Sequence, residues 1–122
     1  MKFLDKYNNK KNIRFASFKK TFDVCLQRNL KNIIETGTAR GKTKFLFFTK
    51  YNWKDGMSTP MFAEFANYVK GTLHTCDISQ ENINNAKKFT KSFSKNIKYY
   101  VQNSLDFLNE FKQPIDLLYL DS

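Results

Sequence analysis

The chain has 122 residues, enough for one domain with its own core. Hydrophobic residues make up 41% and aromatic residues 16% of it, which excludes a disordered polymer. Twenty-one basic and 11 acidic residues leave a net charge of +10. Lysine supplies 18 of the positive charges, and Asn and Phe are each used 13 times. Such usage fits an AT-rich genome, and the lysines are scattered along the chain. The nearest thing to a patch is Lys10, Lys11, Arg14, Lys19 and Lys20. Colloidal solubility therefore explains the charge, and nucleic acid is not the expected partner. No apolar run is long enough to span a membrane, and MKFLDKYNNKK lacks the apolar stretch of a secretory signal. Two cysteines, Cys25 and Cys76, are too few for a disulfide framework, so a cytoplasmic location is expected.

Residues 1–12 are polar and read as a loose segment, with one domain over 13–122. Phe15, Phe18, Phe22, Cys25 and Leu26 fall at helical intervals, and Asn29 marks the end of that helix. Asn32-Ile33-Ile34-Glu35 reads as a buried strand halted at Gly37. Gly41 then opens a helical stretch, Lys42 to about Lys50, carrying Phe45, Leu46, Phe47 and Phe48. After the Asp55-Gly56 turn, Thr59 is an N-cap and Pro60 the first residue of another helix, ended by Gly71. Residues 72–76 form a second strand. Ser79 caps a helix with Glu81 in its first turn and Ile83, Ala86, Phe89 and Phe93 inward. Ile97 to Val101 is a third strand, a short helix starts at Ser104, Pro114 breaks it, and Ile115 to Leu120 is a fourth strand.

Strands alternating with helices predict an α/β fold: a three-layer, Rossmann-like sandwich with a short parallel sheet. Ligands of such sheets bind beyond the carboxyl ends of the strands. Those ends carry Glu35-Thr36-Gly37, Asp77, Asn103-Ser104 and Asp121. The central loop, Glu35-Thr36-Gly37-Thr38-Ala39-Arg40-Gly41-Lys42-Thr43, admits more than one reading. Gly41-Lys42-Thr43 satisfies the second half of a phosphate loop, but the first glycine is one residue too close. A dinucleotide-binding G-x-G-x-x-G is absent, because position 39 is Ala.

Glu35-x-Gly37-x-x-x-Gly41, Asp77, Gln102-Asn103-Ser104 and the IDLLYLD run of 115–121, in order at four strand ends, resemble the motifs of class I S-adenosylmethionine-dependent methyltransferases. The resemblance covers roughly residues 14–122 and is nearest to the small-molecule and sugar branches. It implies strand order 3-2-1-4. It implies that S-adenosylmethionine is the cofactor and S-adenosylhomocysteine the product. Gly37, Thr38, Ala39 and Gly41 would form the loop against the methionine part, with Glu35 accepting from its amino group or from the loop. Asp77 would take the ribose hydroxyls, Ile78 would lie against the adenine or ribose face, and Asn103 and Ser104 would meet the adenine edge. Asp121 would lie near the reacting methyl. No catalytic residue is assigned, and no Cys or His cluster has metal-ligand spacing. Asn103 departs from the family's frequent Asp, and the 36 residues from Gly41 to Asp77 exceed a single crossover helix.

The family's sheet usually has seven strands, so the expectation is a domain that stops after half of that fold. The acceptor-binding part would then be missing and activity incomplete. Its fourth strand would be an edge, which invites a homodimer or larger oligomer through 115–121. A non-catalytic oligomerising module is the alternative, and a nucleotide-binding phosphate loop is a second. His74, alone inside a strand, reads as structural, and Tyr51 and Trp53 read as packing residues of an insert.

Overall fold

The computed structural model describes residues 1–38, 42–45, 48–51 and 58–120. Four strands form one parallel sheet: β1 (Asn32–Thr36), β4 (Thr72–Asp77), β5 (Ile97–Val101) and β6 (Leu117–Leu120). Their spatial order is β5-β4-β1-β6, which is 3-2-1-4 when these strands alone are numbered. Helices cover both faces, as a Rossmann-like sandwich requires. Among the described residues no helix is long and apolar enough to cross a membrane.

The two central strands explain the topology. Ile33, Ile34, Glu35 and Thr36 of β1 are all buried, as are Leu73, His74, Thr75 and Cys76 of β4. Strands buried on both faces read as unbroken runs rather than alternations. On one face Ile33, Leu73 and Ile97 meet α1 (Phe15–Arg28) and α2 (Ser58–Val69). Phe22 stacks on Phe65 with ring centroids 4.5 Å apart, and Phe62 stands edge-on to Phe18 and Phe22. Tyr119 of β6 joins that aromatic cluster, 5.2 Å from Phe62. Next to α2 lies α3 (Gln80–Phe89). On the opposite face Ile34 and Cys76 meet Phe107 of α4 (Ser104–Glu110), a helix of only seven residues.

Several termini follow the residues that mark them. Asn29 closes α1 in the left-handed region (φ 60°). Ser79 caps α3, its Oγ accepting from the amide of Asn82. At the end of α2 the left-handed residue is Lys70 (φ 58°), and the glycine beside it serves another need. A Cβ on Gly71 would stand 2.3 Å from the carbonyl oxygen of Lys31, so β4 can pass this close to β1 only as glycine.

The structure corrects four expectations. Residues 42–50 are not a helix: β2 (Lys42–Phe45) and β3 (Phe48–Tyr51) form an antiparallel hairpin, with Lys42 opposite Tyr51. The stretch is dense in Thr, Phe and Tyr, which favour strands, and it lacks a clean helical apolar stripe. With that helix gone, α2 is the one helix between β1 and β4 among the described residues. Residues 1–12 are not loose. A 3-10 helix (Lys2–Tyr7) sinks Leu4 and Tyr7 into the core. It is held there by Glu64 of α2, which accepts from the Tyr7 hydroxyl at 2.8 Å and pairs with Lys6. Leu26 is exposed rather than part of the α1 stripe. Finally, β6 starts at Leu117, because Asp116 is used before the strand begins.

Asp116 belongs to a polar chain across the sheet. Its Oδ2 accepts from the amides of Lys31 and Asn32, and its own amide donates to the Asn32 carbonyl at 2.9 Å. The Asn32 side-chain amide donates to the Pro114 carbonyl. That leaves Asn32 Oδ1 facing His74 Nε2 at 3.0 Å, so Nε2 carries the proton. His74 Nδ1 then accepts from the Tyr100 hydroxyl at 3.1 Å. His74 is thus a neutral bridge in the core, consistent with its structural reading. Burial, with Lys98 nearby, lowers its pKa to about 4.

Because that value lies below the ordinary 6.5, the unfolded chain binds the proton first as pH falls. His74 should therefore reduce stability by up to about 1.4 kcal/mol per pH unit between about pH 6.5 and 4. Urea unfolding at pH 7, 6 and 5 should show this slope, and His74→Gln should flatten it.

Candidate functional site

The parallel register brings the carboxyl ends of all four strands to one rim. Thr36 stands beside Cys76 of β4 and Leu120 of β6, and Asp77 stands beside Val101. Glu35, Gly37, Thr38, Asp77, Ile78, Asn103 and Ser104 all lie at or just past that rim. Ala39, Gly41 and Asp121, expected to complete the site, lie outside the described residues, as does Trp53.

Glu35 is fully buried, and its carboxylate gathers three hydroxyls. Ser58 Oγ and Thr59 Oγ1, from the start of α2, donate to Oε2 and Oε1 at 2.6 Å each. Thr75 Oγ1 of β4 donates to Oε1 at 2.8 Å and lies 2.8 Å from Thr38 Oγ1 in the loop. A buried carboxylate needs such partners, since removal from water is otherwise very unfavourable. Thr59 was expected to cap its own helix; instead α2 starts at Ser58, and the Thr59 hydroxyl donates to Glu35. The roles of Ser58, Thr75 and Thr38 in this cluster were not legible from the sequence. The one signal was a pair of hydroxyl residues just before Pro60.

Gly37 turns the chain out of β1 with φ 83°, a conformation that strains any residue with a Cβ. Its amide and that of Thr38 both donate to the Cys76 carbonyl, at 2.9 and 3.1 Å. These two amides are used inside the fold, so this part of the loop would meet a ligand through its Cα and carbonyl groups. Among the described residues the first element after the loop is a strand. Lys42 and Thr43 begin β2, so the helix N-terminus that a phosphate loop needs is not at this position.

Asp77, at the end of β4, is partly exposed. Its Oδ1 accepts from the Ser79 amide at 2.8 Å and from Asn82 Nδ2 at 3.2 Å. Oδ2 has no protein donor among the described residues, so one acceptor oxygen is left at the rim. Ile78 beside it is 74% exposed, an apolar side chain held in water next to a carboxylate. Asn103 is exposed and caps α4, its Oδ1 accepting from the amides of Leu105 and Asp106. Ser104 follows as the first residue of that helix. Asn103 thus has a structural use that Asp would serve equally well.

Neither cysteine is an activated thiol. Burial pushes the Cys76 thiol up to about 11, and Cys25 is also raised, chiefly by burial. Among the described residues no group of three or more His, Cys, Asp or Glu is placed to hold a metal ion. No protein-family model and no characterised sequence matches the chain.

Removing the Glu35 carboxylate leaves three buried hydroxyls without their acceptor. Glu35→Ala should lower the unfolding free energy by about 3 kcal/mol or more, and Glu35→Gln by about 1–3 kcal/mol. Denaturant titration of the two variants against the parent chain measures both.

Proposed function

We propose that the chain is an S-adenosylmethionine-binding domain of a methyltransferase that acts on a small-molecule or sugar acceptor. The observation that carries this reading is the Asp77 carboxylate. It stands at the end of the strand next to the glycine turn, with one oxygen engaged and Oδ2 at the rim. A vicinal diol is a good complement to a carboxylate acceptor, and Ile78 supplies the apolar surface that a purine or ribose face would cover. Glu35 enters this reading as the brace behind the loop, with the cofactor contact left to the loop backbone. Methyl transfer is a displacement in which orientation of the acceptor against the sulfonium methyl supplies much of the catalysis. We assign no residue to acceptor binding or to proton transfer.

The phosphate-loop alternative loses support from the hairpin, since Lys42 and Thr43 begin a strand. The oligomerising module keeps one supporting observation. β6 is an edge of the sheet, and Ile115, Leu118 and Leu120 near it are 41–64% exposed. The two readings are compatible, and a homodimer through 115–121 is part of the proposal.

Calorimetric titration with S-adenosylhomocysteine tests the first reading. Micromolar binding is expected, with none for Mg-ATP. Asp77→Asn retains an oxygen for Ser79 and replaces the outer acceptor by a donor. It should weaken binding about 10- to 100-fold at unchanged melting temperature. No heat from the parent chain, or equal affinity in the variant, would count against the assignment.

Light scattering tests the second. The parent chain should run as a dimer at tens of micromolar, and Leu120→Lys as a monomer. A monomer across that whole range would remove the dimer from the proposal.

A further inference from the structure

The most exposed large hydrophobic residues among the described residues are Ile13, Ile78, Leu105 and Leu120, at 75%, 74%, 71% and 64%. All four stand at the carboxyl end of the sheet. Ile78 follows β4, Leu105 is in the first turn of α4 after β5, and Leu120 closes β6. Only residues 29–31 join α1 to β1, so the two run antiparallel and Ile13, just before α1, belongs to the same end. Arg14 Nη1 donates to the Tyr119 hydroxyl at 2.9 Å and ties the start of α1 to β6. A single exposed apolar side chain is ordinary, and Ile13 is set apart by its turn. The chain buries Asn12 and leaves the isoleucine beside it in water, the reverse of their usual preferences. Asn12 Nδ2 donates to the Tyr7 carbonyl at 2.9 Å, and the Asn12 carbonyl accepts from the Phe15 amide at 3.2 Å. Asn9 Oδ1 accepts from the amides of Lys11 and Asn12 at 3.0 and 3.2 Å. The turn is thus fixed from within and holds Ile13 outward, with Lys10 and Lys11 exposed beside it. Ile78 would lie under the cofactor and Leu120 in the dimer edge, but neither reading uses Ile13.

We propose that this end of the molecule docks on an anionic bilayer surface, with Ile13 entering among the headgroups while Lys10 and Lys11 meet lipid phosphates. The inference stands apart from the cofactor reading and needs no hydrogen bond of that site. Docking of this kind is peripheral and requires no spanning helix. An apolar tip at the headgroup boundary and cations drawn to a negative leaflet reinforce each other. The net charge of +10 attracts any anionic surface and so does not choose among them. The tip does choose. A phosphate backbone is bound through its charge and gives an isoleucine nothing to bury against, whereas a bilayer gives it hydrocarbon.

The test is co-sedimentation at low salt with vesicles of equal parts phosphatidylglycerol and phosphatidylcholine. The parent chain should sediment with these and not with phosphatidylcholine alone. Ile13→Asn should bind about 5-fold more weakly or worse. Lys10→Gln combined with Lys11→Gln should lose about 10-fold or more. The control combines Lys31→Gln and Lys70→Gln, two exposed residues that precede β1 and β4 at the opposite end of the sheet. It has the same net charge as the other double variant and should stay within about twofold of the parent. Circular dichroism confirms that all three fold. Cys25 and Cys76 are buried, so a polarity-sensitive dye can be placed on Ile13→Cys or Lys31→Cys. The first should shift to the blue on vesicle binding and the second should not. No sedimentation of the parent would overturn the proposal. Equal losses in the two double variants would overturn it as well, because net charge alone would then be responsible. So would an unshifted dye at position 13, or Ile13→Asn binding like the parent. Capture by a labelled oligothymidylate with none by the vesicles would assign the surface to nucleic acid instead.

Discussion

The carboxylate of Glu35 sits where β1, β4, α2 and the glycine turn meet, and much of the described rim is organised around it. An anion in a dry core must be surrounded by donors. The fold supplies them from two segments that are distant in sequence: Ser58 and Thr59 from α2, and Thr75 from β4. Thr75 is in turn linked to Thr38, so the loop is held through the same carboxylate. One buried charge thereby ties the start of a helix, the next strand and the loop into one unit. Buried polar groups of this kind restrict the arrangements a core can adopt, because most alternatives would leave one of them unpaired.

The sequence was most legible where burial is complete. The runs Ile33-Ile34 and Leu73 to Cys76, each ending in an acid or glycine, could be little else than central strands of a parallel sheet. The Phe18-Phe22-Cys25 spacing marked α1, and Ser79 its own helix start. It was least legible at residues 42–51. Four consecutive apolar residues there satisfy helix and strand patterns alike. A glycine loop after a first strand suggests a helix by analogy, whereas Thr, Phe and Tyr form a hairpin. The N-terminal segment misled for a different reason. Its polar composition conceals Leu4 and Tyr7, and the polar anchor of Tyr7 is Glu64, a residue 57 positions beyond it.

The candidate site was legible in outline only. That Gly37, Asp77 and Asn103 stand at strand ends follows from alternation of strands and helices. Which atoms remain available does not. Gly37 and Thr38 turn their amides to Cys76, Asn103 spends its Oδ1 on α4, and Asp77 spends one oxygen on α3. The bonds of Asn103 and Asp77 are local and those of Gly37 and Thr38 reach across to β4, and all are decided by backbone geometry, which residue identity alone does not reveal.

The two ends of the sheet are finished differently. Asp116, Asn32, His74 and Tyr100 form a hydrogen-bonded seam that starts beside the amino ends of β6 and β1 and runs obliquely across β4 to Tyr100 of β5, the register neighbour of Cys76. At the carboxyl end the strands lead into loops and one short helix. A slip of any one strand past its neighbour would break this seam as well as the backbone ladder, so the seam adds a side-chain lock on strand register. The sheet is braced corner to corner, as a diagonal strut stiffens a frame.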